Sequence, residues 1–175
     1  LEQQPMVETV MTWLTLHDLS VSKSQLQSLL LSPYLYSSQE AFSQGAVLEL
    51  EVRKSNKGFY SRSAIQELCM KREISLAWLK DNYFQEHNEQ SGYIQFIQWV
   101  LSLQEELHWT GYKALSSLEF QLQKQFLEVI KSSAKLSKVL PKKLSRSLAL
   151  KTLQRFVHDQ SFHQETPQAP IRVMG

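Results

Sequence analysis

The feature that most constrains the fold of this chain is the helical spacing of its apolar residues. Residues three and four positions apart share one face of an α-helix, and this spacing recurs in segment after segment. The longest stripe continues for about four turns and contains Leu115, Leu118, Leu122, Phe126, Val129 and Ile130. With only five glycines and five prolines in 175 residues, the chain has few of the tight turns that sheets need. The sequence therefore predicts a mainly α, multi-helix domain.

Caps and helix breakers set the predicted boundaries of the first three helices. Pro5 suits the first turn of a helix that ends near Leu16. Ser22 has the capping-box spacing at the start of a second helix. A third helix of one or two turns is predicted between a cap at Ser37 and Gly45, because glycine is common just after a helix C-terminus.

Residues 46–61 show a different pattern, in which apolar and charged side chains alternate. Leu48, Leu50 and Val52 alternate with Glu49, Glu51 and Arg53. This alternation is typical of a half-buried strand, and Phe59 and Tyr60 can form a short returning strand after a turn at Gly58. The sequence therefore predicts one short β-hairpin near residues 46–61. Three helices followed by a hairpin resembles a winged-helix unit with the hairpin as its wing.

Helical spacing returns after the hairpin and continues into the C-terminal third. A strongly apolar helix after Gly92 is predicted to lie in the core. The helix that carries the long stripe is predicted to begin at Thr110 or Gly111, and a last helix to run from about Pro141 to Val157.

These elements divide the chain into three predicted parts. Residues 1–61 form a small, winged-helix-like subdomain, residues 62–158 a helical bundle on which it packs, and residues 159–175 a tail. The chain starts at Leu1 and not at Met, so we expect a domain of a longer protein. No apolar stretch approaches the roughly 18 to 20 residues of a membrane span, so no transmembrane segment is predicted. A single cysteine, Cys69, excludes an internal disulfide and favours the cytosol or nucleus.

The charge of the chain is divided unevenly, although its net value is only +2. Residues 1–51 contain one basic and six acidic residues, residues 52–130 nine of each, and residues 131–175 nine basic and two acidic. Most of the positive charge lies in a block without Asp or Glu, which comprises Lys131, Lys135, Lys138, Lys142, Lys143, Arg146, Lys151 and Arg155. Such a block predicts a surface for an acidic partner.

The sequence contains none of the usual catalytic or cofactor motifs. Its glycines are isolated, so it has no phosphate-binding loop, and one cysteine with scattered histidines does not supply a zinc site. Cys69 with His87 or His108 is a conceivable nucleophile and base, but Cys69 lies on an apolar helix face and is interpreted as a buried thiol. The predictions are therefore no cofactor, no metal and no enzymatic activity.

Aromatic residues are concentrated between Trp78 and Tyr112. Core packing is the simpler interpretation, and the alternative is a partner groove that includes Trp99, Trp109 and Tyr112.

The leading functional hypothesis is a protein–protein interaction domain, an adaptor or scaffold, of a larger nuclear or cytoplasmic protein. Its basic C-terminal helices would bind an acidic segment of another protein. The alternative is a nucleic-acid-binding module that places these helices on the phosphate backbone.

Overall fold

The fold is mainly α, with a short antiparallel sheet of two strands, as the sequence predicts. The computed structural model describes residues 1, 4–16, 19–81, 92–107 and 109–161. Within these ranges the α-helices are α1 (Pro5–Thr15), α2 (Lys23–Leu30), α3 (Gln39–Lys54), α4 (Arg62–Lys71), α5 (Tyr93–Leu107), α6 (Ser117–Ser133) and α7 (Arg146–His158). The strands are β1 (Val21–Ser22) and β2 (Phe59–Tyr60). Short 3₁₀ helices lie at Pro33–Leu35, Ala77–Leu79 and Ala134–Lys138.

Serine side chains cap the start of most of these helices. The predicted capping box at Ser22 is confirmed, since its hydroxyl accepts from the Gln25 N–H and the Gln25 side chain accepts from the Ser22 N–H. Ser38, and not Ser37, caps α3. Ser116 caps α6 with a second capping box, so α6 begins later than predicted. Each such cap stabilises its helix by about 1 kcal/mol.

The predicted strand over residues 47–52 is wrong, because α3 continues as a helix to Lys54. Gly45 lies inside this helix and not at its end. The hydroxyl of Tyr36, which donates to the Leu30 carbonyl oxygen at 2.9 Å, occupies the position that a Cβ on residue 45 would need. Gly45, Leu48, Glu49 and Val52 are buried at helical spacing. The glycine therefore permits close packing.

The hairpin predicted near residues 46–61 is replaced by a sheet between more distant strands. Phe59 and Tyr60 do form a strand, as expected, but they pair with Ser22 and Val21 at the start of α2. The order of elements to this point is helix, strand, helix, helix, strand. The two adjacent strands that would form the predicted wing are absent from residues 46–61, all of which the structure describes.

One hydrophobic cluster includes buried residues from α1 through α7. Its largest fully buried side chains include Trp13, Trp78, Trp109, Tyr60, Tyr93, Phe96 and Phe126. The indole N–H of Trp13 donates to the carbonyl oxygen of Trp78 at 2.9 Å. Helix α5 contributes five buried residues, which confirms its predicted place in the core.

The N-terminal elements contact the C-terminal helices directly. Helix α1 packs on α6 and α7. The Tyr34 hydroxyl donates to Glu119 Oε1 at 2.8 Å, which joins the first 3₁₀ helix to the start of α6. No helix in the described ranges is both long enough and apolar enough to cross a membrane.

Candidate functional site

Seven of the eight basic residues predicted to form a binding surface are exposed. Lys131 lies in the last turn of α6, and the others follow on the 3₁₀ helix, in the segment before α7 and on α7 itself. We call these seven residues the basic surface; they are Lys131, Lys135, Lys138, Lys142, Lys143, Lys151 and Arg155.

Buried apolar residues hold the elements of the basic surface in place. Leu144 anchors the segment before α7, and Leu150, Leu153 and Val157 bury one side of α7. Helix α7 packs on α5 and α6, and the 3₁₀ helix Ala134–Lys138 packs on the same two helices. The cations are therefore carried by packed elements with fixed spacing.

The basic surface has little internal compensation of its charge. The chain contains no Asp or Glu between Glu128 and Asp159. Lys131 pairs with Glu128, with Nζ and Oε1 3.1 Å apart. Within the described part of the chain, no carboxylate lies within 4 Å of Lys135, Lys138, Lys142, Lys151 or Arg155. Clustered cations without counter-charges produce a positive potential that attracts acidic groups.

Arg146 is the exception among the eight predicted residues, because its side chain is 9% exposed. It is the first residue of α7, and its guanidinium carbon lies 5.0 Å from the centre of the Trp99 ring. A guanidinium on an aromatic face is attracted to the ring and covers apolar surface with its stem. Arg146 therefore contributes to packing between α7 and α5.

Two aliphatic side chains are exposed among these cations. Val139 is 80% exposed and Leu148 is 47% exposed. Leu148 faces outward, since Ala149, Leu150 and Leu153 take the buried side of α7. Leu148, Lys151 and Arg155 lie at helical spacing on the outer side.

The three residues of the predicted aromatic groove have different neighbours. Trp109 is buried in the core, with its ring 6.1 Å from that of Phe126. Trp99 is half-buried beneath Arg146, and half-buried Tyr112 lies 5.8 Å from Phe42.

A second surface feature, which sequence reasoning missed, is a groove at the start of α6. Its cavity has a volume of about 470 Å³. We call it the α6 groove; it is lined by Leu115, Ser116, Ser117, Phe120, Gln121 and Lys124. Phe120 is 60% exposed. It is an aromatic residue that lies outside the predicted apolar stripe of this helix, which is the one signal that the sequence offered.

The conceivable nucleophile Cys69 is buried in the core cluster. Burial raises the pKa of its thiol to about 11, so the reactive thiolate is disfavoured. Its possible bases, His87 and His108, lie outside the described residues. The described residues contain no group of three or more His, Cys, Asp or Glu side chains that could hold a metal ion.

The basic surface, its exposed aliphatic side chains and the α6 groove are the features on which a functional assignment rests. The chain matches no family model, no curated protein and no solved structure.

Proposed function

We propose that this chain is a non-enzymatic docking module that binds an acidic segment of another protein on the basic surface. The observation that carries the proposal is a set of seven exposed cations on packed elements, in a part of the chain without acidic residues. Five of them have no carboxylate within 4 Å among the described residues. An acidic partner would supply these missing counter-charges.

The packing of the elements that carry the basic surface supports specific docking. Side chains on packed helices keep their spacing, so a partner with matching acidic residues loses less conformational entropy on binding. Complementary potentials also steer the encounter and discriminate against partners with the wrong charge pattern.

The exposed aliphatic side chains favour a protein over a nucleic acid as the partner. Val139 and Leu148 lie in the same segment as the cations, and a protein segment offers apolar groups that can cover them. A phosphate backbone offers these side chains only charged oxygens and sugars. Trp109, one of the three residues of the predicted aromatic groove, is buried and offers no face on which a base could stack.

The proposed setting is the cytosol or the nucleus, where a lone free cysteine such as Cys69 stays reduced.

The test is a binding titration with a fluorescein-labelled peptide in which glutamates alternate with leucines. We expect saturable binding that weakens with added salt. The variant Lys142→Glu, Lys151→Glu, Arg155→Glu should lose affinity by about tenfold or more, since each reversal removes an attraction and adds a repulsion.

The matched control is Lys57→Glu, Lys71→Glu, Lys80→Glu, which changes three exposed lysines elsewhere and alters the net charge equally. Its affinity should stay within about twofold of the wild type, because these three lysines are not part of the basic surface and salt screens the effect of exposed charges at a distance. Equal losses in both triple variants would show attraction by net charge alone. Tighter binding of a 20-mer single-stranded or duplex DNA than of the peptide would support the nucleic-acid alternative instead.

A further inference from the structure

The α6 groove has the chemistry of a pocket for an aromatic side chain. Leu115 and Phe120 give it apolar walls, and Lys124 places an exposed ammonium group at its edge. Aromatic rings pack on other rings and on aliphatic groups, and a lysine ammonium is attracted to a ring face.

Gln121 contributes a hydrogen-bond acceptor to the lining of the groove. Its side-chain oxygen is buried and accepts no hydrogen bond from any residue that the structure describes. A buried acceptor without a donor is unfavourable, so a bound group that donates to it, once the Gln121 side chain turns toward the groove, gains more than it would from an acceptor already satisfied. A tryptophan side chain combines a ring with one N–H donor.

The groove and Lys131, the one residue of the basic surface on α6, share the outer side of this helix. Phe120, Lys124, Glu128 and Lys131 are exposed and follow one another at helical spacing. Phe120 and Lys131 are eleven residues apart, which is about 16 Å along a helix axis. An extended peptide covers that distance with about five residues.

We propose that the acidic segment that binds the basic surface carries a tryptophan, about five residues from its acidic run, that docks in the α6 groove. This inference rests on the proposed function, because it assigns a further residue to the same partner. Tryptophan is a frequent anchor in protein interfaces, where a pocket excludes water around it.

The test uses a fluorescein-labelled peptide with one tryptophan about five residues from four glutamates, made in both orders along the chain. A second pair of peptides has alanine in place of the tryptophan. For at least one order, we expect the tryptophan peptide to bind the wild-type protein about tenfold more tightly than its alanine partner. Phe120→Ala should remove this advantage and leave the affinity of the alanine peptide unchanged.

Two further variants separate the groove from general effects. Leu118→Ala removes an exposed side chain from the same helix that does not line the groove, and should keep the advantage. Gln121→Met removes the acceptor at similar size, and should reduce affinity for the tryptophan peptide by about three- to tenfold. Thermal melts confirm that each variant is folded.

The failures of the two proposals are distinguishable. If both members of each pair bind equally, and the Lys142, Lys151 and Arg155 reversals abolish this binding, the groove inference is overturned and the proposed function stands. A tryptophan advantage that persists in Phe120→Ala also overturns the inference. If none of the peptides binds at low salt, both proposals are wrong.

Discussion

The charged residues of the N-terminal region, on α2 and α3, differ from those of the basic surface in the C-terminal region in whether they have partners within the chain. In the N-terminal region Glu49 is buried and accepts hydrogen bonds from the Arg53 guanidinium and from Gln27 Nε2 at 2.8 Å. Lys23 Nζ donates to the carbonyl oxygens of Arg53 and Ser55 at the C-terminal end of α3. In the C-terminal region, five of the seven cations of the basic surface have no carboxylate within 4 Å among the described residues. Charge therefore stabilises the packing of helices in the first region and lies exposed on the surface in the second.

The largest effect should come from Arg53→Met, which retains the aliphatic stem and deletes the guanidinium. Glu49 would then be buried with Gln27 as its remaining described partner, and we expect a loss of about 2 kcal/mol in unfolding free energy. Urea denaturation measures this loss. The control is Lys54→Met, whose exposed ion pair with Glu51 has a 3.7 Å separation and should contribute less than about 0.5 kcal/mol. Equal losses would contradict the structural role of Glu49.

Arg146, the buried residue among the eight basic residues, should also contribute to the free energy of unfolding. Arg146→Ala removes the contact with the Trp99 ring and the apolar stem that covers it, and we expect a loss of about 1.5 kcal/mol. Lys151→Ala, on the same helix but exposed, should change the unfolding free energy by less than about 0.5 kcal/mol. Thermal unfolding compares the two. If Lys151→Ala is as damaging as Arg146→Ala, the separation of Arg146 from the basic surface is wrong.

The hydrogen bond between Tyr34 and Glu119 links the two regions, and its strength should depend on pH. Hydrogen bonds from the Ser116 N–H, the Ser116 hydroxyl and Tyr34 lower the pKa of Glu119 below 4.5. A lowered pKa stabilises the fold above about pH 4.5, and this contribution is lost as the pH falls through the lowered value. Burial and Glu119 raise the pKa of Tyr34 to about 12, so Tyr34 remains a donor through neutral pH.

Tyr34→Phe should therefore destabilise the protein by about 1 kcal/mol at pH 7. The difference from the wild type should stay constant between pH 6 and 9 and shrink as the carboxylate is protonated. Urea denaturation at a series of pH values measures it. A difference that is unchanged at pH 3 would show that the Tyr34 hydroxyl acts through packing and not through the charge of Glu119.

The smallest effect is expected from neutralising the basic surface. Lys138→Gln, Lys142→Gln, Lys151→Gln removes no ion pair given by the described residues, so the unfolding free energy should change by less than about 0.5 kcal/mol. Any change at low salt should be a gain from reduced repulsion, and 0.5 M NaCl should abolish it. A loss above 1 kcal/mol would mean that these lysines hold the fold together, as the charges of the N-terminal region do.

The helices were predictable from local signals, and the packing was not. Ser22 and the stripe on α6 specify helices through capping and spacing, which act within a few residues. Gly45 was interpreted as the end of a helix, but a glycine is needed there because the Tyr36 hydroxyl packs against the middle of α3. That contact is not visible in the local sequence. The spacing of Leu48, Glu49 and Val52 was helical, but the alternation of charge concealed it.

Of the candidate site, the basic surface was predictable from the sequence, whereas the burial of Arg146 and the α6 groove were not. The absence of acidic residues between Glu128 and Asp159 marked the basic surface, because that property lies in consecutive residues. The burial of Arg146 depends on Trp99, which lies 47 positions earlier on another helix. The α6 groove depends on which apolar residues of α6 the core leaves uncovered. Both follow from tertiary packing, which periodicity does not specify.

Because Cys69 is buried, the reaction of its thiol with an added reagent can report local unfolding of this chain. Because the thiol is buried and the chain contains no other cysteine, a thiol reagent can react only when the structure around α4 opens. The rate of thiol labelling therefore measures how readily the structure around Cys69 opens. Labelling in the presence and absence of a bound partner would show whether docking near α6 and α7 is transmitted across the shared core to α4.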